Sequence, residues 1–520
     1  MTEEDLVKKE TITLNKINIA LVLTLLFSFF IRLYYYFMTR TQTVWWDEAA
    51  YLIKAKSLAF PYYLQHIPGI VGQAFNPARS PLYSLILAFF YKLGLTETFF
   101  RLPSVLLSVG TIFLVFLLGK ELFDKKTGLL ASIFASVMWV DFYVITRIFP
   151  DAMSLFFVTL ATYLFVKGFV KKEHKYYGWF FFPVLIIAVM AREINILFLA
   201  IILIYWIIIE KKNFLKNKDV YYSILFGAIT SIPYFIYNQL QYGNPLFQII
   251  SRYHSMTNVM FGQKPVILVD PLGTLVYWKL MPDYFVWPLM IVFLIGLVFL
   301  LDIFLGLGLI WKQENKYLNN KFFLFLYILV PLLFFGFIYT LYDPRYIMII
   351  FPAAYIIAAN GIIKLSEYIK KHTNKIIALI FIIFVVLSVG YVNLNKADNL
   401  VKTKLDSQWQ IKEAGLWLKE NTAEDDIIIS QSHPQLVLYS ERQIERIPLE
   451  ETETEFENKI KDLHPKYMVL AAFEQHLPWM FEYPAKHNDT WTPVQAYAST
   501  KDGKGQLAVI IYKYDPKNEN

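Results

Sequence analysis

Carboxylates and guanidinium groups stand together at a few points of this sequence, each at the edge of a long apolar run. They are Asp47 and Glu48 in Trp45-Trp46-Asp47-Glu48, Arg79 in Asn76-Pro77-Ala78-Arg79-Ser80-Pro81, Arg147 with Asp151, Arg192 with Glu193, and Asp343 with Arg345. A carboxylate within hydrogen-bond reach of an acceptor hydroxyl takes its proton, and an arginine fork holds a phosphate with paired donors. Sugar transfer from a lipid phosphate uses both, because negative charge builds on the departing phosphate as the hydroxyl attacks. Each piece also has a purely structural reading. Asp47 and Glu48 beside two tryptophans suit an interfacial girdle. Arg147 and Asp151, four apart, suit a pair along one helix face. Arg192 and Glu193 neutralise one another in a broken helix, and Arg345 anchors to headgroups. His66 and His254 have no helical partner at metal-ligand spacing and read as polar loop residues. No cofactor is written in these motifs. A divalent cation stays open, since Asp47 and Glu48 are hard oxygen ligands.

The elements that must position these groups are membrane helices. The chain has 520 residues, of which 56% are hydrophobic and 18% aromatic. That exceeds the apolar share of ordinary soluble proteins. Apolar runs recur from Ile17 to about Tyr391, many approaching the roughly 20 residues that cross a bilayer core. The first run, Ile17 to Met38, is longer than a signal-peptide core and reads as a retained anchor. The net charge of +7 comes with lysines clustered between apolar runs, not in a basic stripe, so nucleic acid is no partner and the clusters read as a topology signal. With no cysteine in the chain, disulfides, thiolate zinc sites and cysteine nucleophiles are excluded.

Lysine excess marks the loops at Lys120 to Lys126, Lys171 to Lys175, Lys211 to Lys218, Lys312 to Lys321 and Lys364 to Lys375. Placing all of them in the cytoplasm predicts span pairs at 128–146 and 152–169, 177–190 and 195–209, 220–237 and 287–310, and 322–340 and 346–363. An inward segment at 103–119 and a final span at 375–393 complete about eleven spans, with the N-terminus inside and the C-terminus outside. Residues 39–102 then form one outer loop, in which Pro81 to Leu95 is too short to span and lies in the interface. The charged junction Ala191-Arg192-Glu193-Ile194 demands a protein or water-filled surround, hence a cavity opening outward. The expected organisation is a polytopic α-helical transmembrane unit, 1–395, and an extracytoplasmic soluble α/β domain, 396–520. The latter has a helix at Gln408 to Glu420, strands at Asp426 to Ser430, Tyr467 to Ala472 and Gln506 to Tyr514, and an exposed acidic loop or helix start at Glu450 to Glu457. Asn488-Asp489-Thr490 matches a glycosylation acceptor pattern on that domain.

Several elements in fixed order resemble the protein O-mannosyltransferase superfamily, whose prokaryotic members include the lipid A aminoarabinose transferases. They are Asp47-Glu48 with Ala49-Ala50-Tyr51, Arg79-Ser80-Pro81-Leu82-Tyr83, Phe100-Arg101-Leu102-Pro103-Ser104, the Glu121-Leu122-Phe123-Asp124 turn, Arg147 to Asp151, and Asp343-Pro344-Arg345-Tyr346. The resemblance covers roughly residues 15–365. It implies the GT-C fold with an outward-facing cavity, a polyprenyl- or dolichyl-phosphate sugar donor, and inversion at the anomeric carbon. Asp47 resembles the catalytic base acting on the acceptor, and Glu48 its acidic neighbour orienting acceptor or base. Arg147 resembles the contact to the carrier phosphate and Arg345 a second such contact. Asp151 would support Arg147, and Arg79 is a further contact by position. The chain departs from the eukaryotic mannosyltransferases, whose large outer loop carries a β-trefoil domain, because the later outer loop here, Asn238 to Val286, is too short for one.

The function so implied is an inverting glycosyltransferase of the cell membrane, acting on the outer face on a protein, glycan or lipid hydroxyl. The competing reading, a transporter or flippase of lipid-linked glycans, wants inverted repeats and ionisable groups near the midplane. No internal repeat is evident here, and the charges gather at outer ends. A surface scaffold with the C-terminal domain as its binding module is the remaining alternative.

Overall fold

The computed structural model describes residues 3–67, 80–251, 276–301, 303, 316–338, 343–447, 452–501 and 504–515. Among them, nine helices are long and apolar enough to cross a membrane. They begin with Asn15–Thr39 and Leu102–Leu122 and end with Tyr346–His372 and Lys375–Thr403. Lys125–Ser136 and Trp139–Ile145, bent by 55° at the break, make a tenth if taken as one span. Lys175–Ala191 is apolar but, at 17 residues, shorter than the rest. The expected crossings thus appear as helices, two of them only as a bent or shortened version.

Local chemistry sets the helix ends. Asp124 accepts from the Thr127 N–H, Asn217 from Asp219, and Asn374 from Ile376 and Ile377, each satisfying amides that the first turn leaves free. Pro103 sits in the first turn of Leu102–Leu122, where its missing N–H costs nothing. Tyr346–His372 is the most buried span and crosses Met281–Val298 closely at Gly361. A Cβ on Gly361 would lie 2.6 Å from the Gly296 Cα, so only glycine permits that approach.

The charged residues sort to the two ends of the bundle. At one end the lysine loops meet: Lys171 pairs with Glu121 at 2.8 Å and Lys172 with Glu210 at 3.2 Å, and the Asn320 side chain donates to the Leu122 carbonyl. At the other end lie Asp47, Arg147, Asp151, Arg192 and Arg345. Between them Arg32, fully buried in the first span, donates to Asp141 at 2.7 Å and to Ser108 at 2.6 Å. That buried pair ties the first span to the bent one.

Among the described residues between the first span and Leu102 are two short helices, Trp46–Ala59 and Leu82–Lys92. Eleven residues of the latter reach about 16 Å, half a bilayer core. It packs on Trp46–Ala59 through the edge-to-face pair Tyr51 and Tyr83, with the Ser84 hydroxyl on the Tyr51 carbonyl. The expectation that 81–95 does not cross agrees with this length.

The final span runs unbroken to Thr403, so the separation expected after residue 395 falls inside a helix. Beyond it is a sheet of order β2-β1-β3-β5-β4, with β1 Ile427–Ser430, β2 Gln443–Glu445, β3 Tyr467–Ala471, β4 Trp491–Lys501 and β5 Lys504–Tyr514. β1 pairs in parallel with β2 and β3, and β5 is antiparallel to β3 and β4. Helices Trp409–Asn421 and His433–Ser440 cover one face, packing Ile411, Leu418 and Val437 on Ile428 and Val469. Glu453–Leu463 and Pro478–Lys486 cover the other, packing Phe456, Ile460 and Met480 on Ile429 and Met468. Of the acidic stretch expected as a loop or helix start, Glu450 and Glu451 lie outside the described residues, and Glu453 and Glu455 stand in the first turn of Glu453–Leu463, with Thr452 as its cap.

Candidate active site at the arginine-rich end of the bundle

Asp47 and Glu48 both lie in the first turn of Trp46–Ala59, where the helix dipole favours negative charge. Successive helical residues point about 100° apart, so one helix delivers the two carboxylates to different neighbours. Glu48 turns inward and is fully buried. Its carboxylate accepts from the Trp45 N–H at 2.7 Å, the Ile148 N–H at 2.7 Å, Arg101 at 3.4 Å and Arg147 at 3.4 Å. Arg101 also donates to the carbonyls of Arg40 and Gln42, and Arg147 to that of Thr43. Arg147 stacks its guanidinium 3.5 Å from the Trp45 ring centre. Burial pulls the Arg147 guanidinium down to about 10 against the attraction of Glu48, which leaves it charged at neutral pH.

Asp47 turns the other way and stays half-buried, 3.1 Å from Arg345. Arg345 is held from its own loop by Asp343, which accepts from Nε at 2.8 Å and from Nη2 at 2.5 Å, and it lies 4.3 Å over the Phe149 ring. Burial lowers the Arg345 pKa, but Asp151, Asp343 and Asp47 outweigh it and hold the group well above its usual value. Arg192 caps the end of Lys175–Ala191 and reaches Asp151, stacking on Tyr346. Arg192 and Arg345 line one small cavity with Asp151, Asn195 and Tyr346. The second Asp151 oxygen is buried with no hydrogen-bond partner among the described residues.

The structure therefore regroups the residues singled out by type and spacing. Arg147 and Asp151 do not pair with each other: Pro150 starts the helix Asp151–Phe165 after Arg147, sending Arg147 to Glu48 and Asp151 to Arg192. Arg192 turns to Asp151, not to its neighbour Glu193. Asp47 and Glu48 contact different arginines. Among the described residues, no group of three or more His, Asp or Glu side chains could hold a metal ion. Arg79 and His254 lie outside the described residues, while His66 contacts the Glu441 carbonyl at 2.8 Å. Asn488 is exposed in the turn before β4. Arg101 went unnoticed as a site residue. Its only signal was its place in the Phe100 to Ser104 element.

Residues 78–237 match the family model described as dolichyl-phosphate-mannose-protein mannosyltransferase. The matched stretch carries Arg101, Arg147, Asp151 and Arg192, while Asp47 and Arg345 flank it. ArnT from Cupriavidus metallidurans, solved bound to undecaprenyl phosphate, superimposes with a TM-score of 0.61 at 10% identity over 95% of this chain and 97% of that one. The chain has the GT-C fold of membrane glycosyltransferases. The Archaeoglobus fulgidus oligosaccharyltransferase, in a complex with zinc and sulfate, shares that fold with a TM-score of 0.63 at 14% identity, over 94% of this chain and 73% of its own. So does AglB from the same organism, solved with an inhibitory peptide and a dolichol-phosphate, with a TM-score of 0.60 at 13% identity, over 95% and 74%. No curated protein matches the sequence significantly. In the GT-C frame, one end of the helical bundle carries the short helices after the first span, the arginines and the C-terminal sheet.

Proposed function

We propose that this protein is an inverting glycosyltransferase that moves a monosaccharide from a polyprenyl- or dolichyl-phosphate carrier to an acceptor hydroxyl at the outer membrane surface. The observation that carries the reading is the contact between the half-buried Asp47 carboxylate and Arg345, beside the cavity that Arg345 shares with Arg192. Asp47 takes the acceptor hydroxyl proton. The acceptor oxygen bonds to the anomeric carbon on the face opposite the carrier, and the bond from that carbon to the phosphate oxygen breaks with its electron pair. Arg345 and Arg192 receive the phosphate charge as it develops. Phosphate competes with Asp47 and Asp343 for the Arg345 fork, so donor binding frees Asp47 to accept a proton. Arg147 takes a different part from that implied by resemblance: committed to Glu48 and Trp45, it shapes the segment bearing the base.

The outer placement rests on the lysine loops gathering at the opposite end of the bundle. Residues 396–520 then belong outside the membrane with the site. Purified Asp47→Asn protein in vesicles containing a radiolabelled polyprenyl-phosphate mannose tests the assignment. Transfer should fall by a factor of about 10² or more while donor binding and folding persist. Undiminished transfer by that variant would remove Asp47 from the mechanism.

A further inference from the structure

The tripeptide Val44-Trp45-Trp46, immediately before Asp47, is held on one side by Arg147, stacked on Trp45, and on the other by the region after the last span. The Val44 carbonyl accepts from the Gln435 amide at 3.2 Å, and the Val44 N–H donates to the Tyr439 hydroxyl at 3.3 Å. The Trp45 indole N–H donates to the Ser407 hydroxyl at 2.9 Å, and Arg446 lies 5.8 Å from the Trp46 ring centre. Helix His433–Ser440 packs along Trp46–Ala59, joining Leu436 and Val437 to Ala49, Leu52 and Ile53 in one apolar cluster.

Two features of this grip are costly to folding. Gln435 is fully buried, and its Oε1 has no hydrogen-bond partner among the described residues. A leucine would avoid that penalty. The same Gln435 nitrogen donates to the Gln408 Oε1 at 2.7 Å, and Gln408 sits in the left-handed region at φ 63°, which a residue with a side chain adopts only under constraint. Strain and an unmet acceptor converge on the side chain that donates to the Val44 carbonyl.

We infer that Gln435, oriented by Gln408, is a positioning residue for the transfer reaction, setting the Asp47 carboxylate through the Val44 carbonyl from the C-terminal domain. This rests on Asp47 being the base. The C-terminal domain is thereby part of the catalytic apparatus. A displacement of about 1 Å at a reacting group costs on the order of 10²-fold in rate.

The experiment uses the full chain in vesicles, with radiolabelled polyprenyl-phosphate mannose and an extract of membrane acceptors. It compares wild type, Gln435→Leu, Gln435→His, Asp47→Asn and Asp47→Asn/Gln435→Leu. Gln435→Leu should lower turnover roughly ten- to hundredfold, with donor affinity within about twofold of wild type and the unfolding midpoint unchanged. Gln435→His, which keeps a donor, should recover part of the rate. The double variant should be no slower than Asp47→Asn alone, because misplacing an absent base has no further effect. Wild-type turnover in Gln435→Leu overturns the inference, as does a loss that follows donor affinity or the folded fraction, or a full further loss in the double variant. Full activity of Asp47→Asn would instead refute the reading of the base itself.

Discussion

Glu48 and Asp47 leave adjacent positions of one helix, yet the first is fully buried with four hydrogen-bond donors and the second stays 27% exposed against one arginine of a distant loop. The difference separates two uses of the same chemistry. Around Glu48, charge is spent on architecture: Arg101 and Arg147 tie the segment 40–48 to the bundle, and neither has an open face toward the cavity. Beside Asp47, Arg345 lines a cavity together with Arg192, which is bound to Asp151. Buried pairs resist substitution of one member because the other is left uncompensated.

The sharpest way to break this contrast is Glu48→Ala. Removing the carboxylate leaves two buried guanidinium groups unpaired, and the protein should lose about 3–5 kcal/mol, failing to accumulate as a monodisperse species in detergent. Normal yield and an unchanged unfolding midpoint would refute the architectural role. Next in size, Arg147→Lys removes the stacked fork on Trp45 and should cost about 1–3 kcal/mol with donor affinity unaltered. If titration with polyprenyl phosphate instead shows lost affinity at normal stability, Arg147 is a phosphate ligand and the two clusters are not separate. On the Asp47 side, Arg345→Lys should shift the unfolding midpoint little while weakening polyprenyl phosphate binding about tenfold, an effect of about 1.4 kcal/mol. The smallest effect lies at the far end of the bundle. Lys172→Ala deletes an ion pair in which the lysine is 58% exposed, and thermal unfolding should change by less than about 0.5 kcal/mol.

Comparing particular residues shows how far the sequence carried. Asp47 and Arg345 were each legible from residue type and from position at an apolar run's edge, but not as partners, since 298 positions separate them. Arg192 was visible and given to Glu193 because sequence proximity is the only proximity a sequence displays. Strands β2 and β4 escaped notice: β2 has three residues, too short for an alternating pattern, and β4 mixes polar residues along an edge. Arg32 and Asp141, both within apolar stretches, gave no sign that they would meet.

Hydropathy and lysine clustering act over a few positions, so the sequence alone determined the membrane class, the approximate places of the spans and the presence of a C-terminal α/β sheet. Which carboxylate meets which guanidinium, and which of two adjacent acids is fully buried, was left to the tertiary structure. That choice depends on helix rotation, where one residue means about 100°, and on the packing of loops hundreds of residues apart. The same physics places Val44 against Gln435, so that a helix from one end of the chain holds the carboxylate near the other.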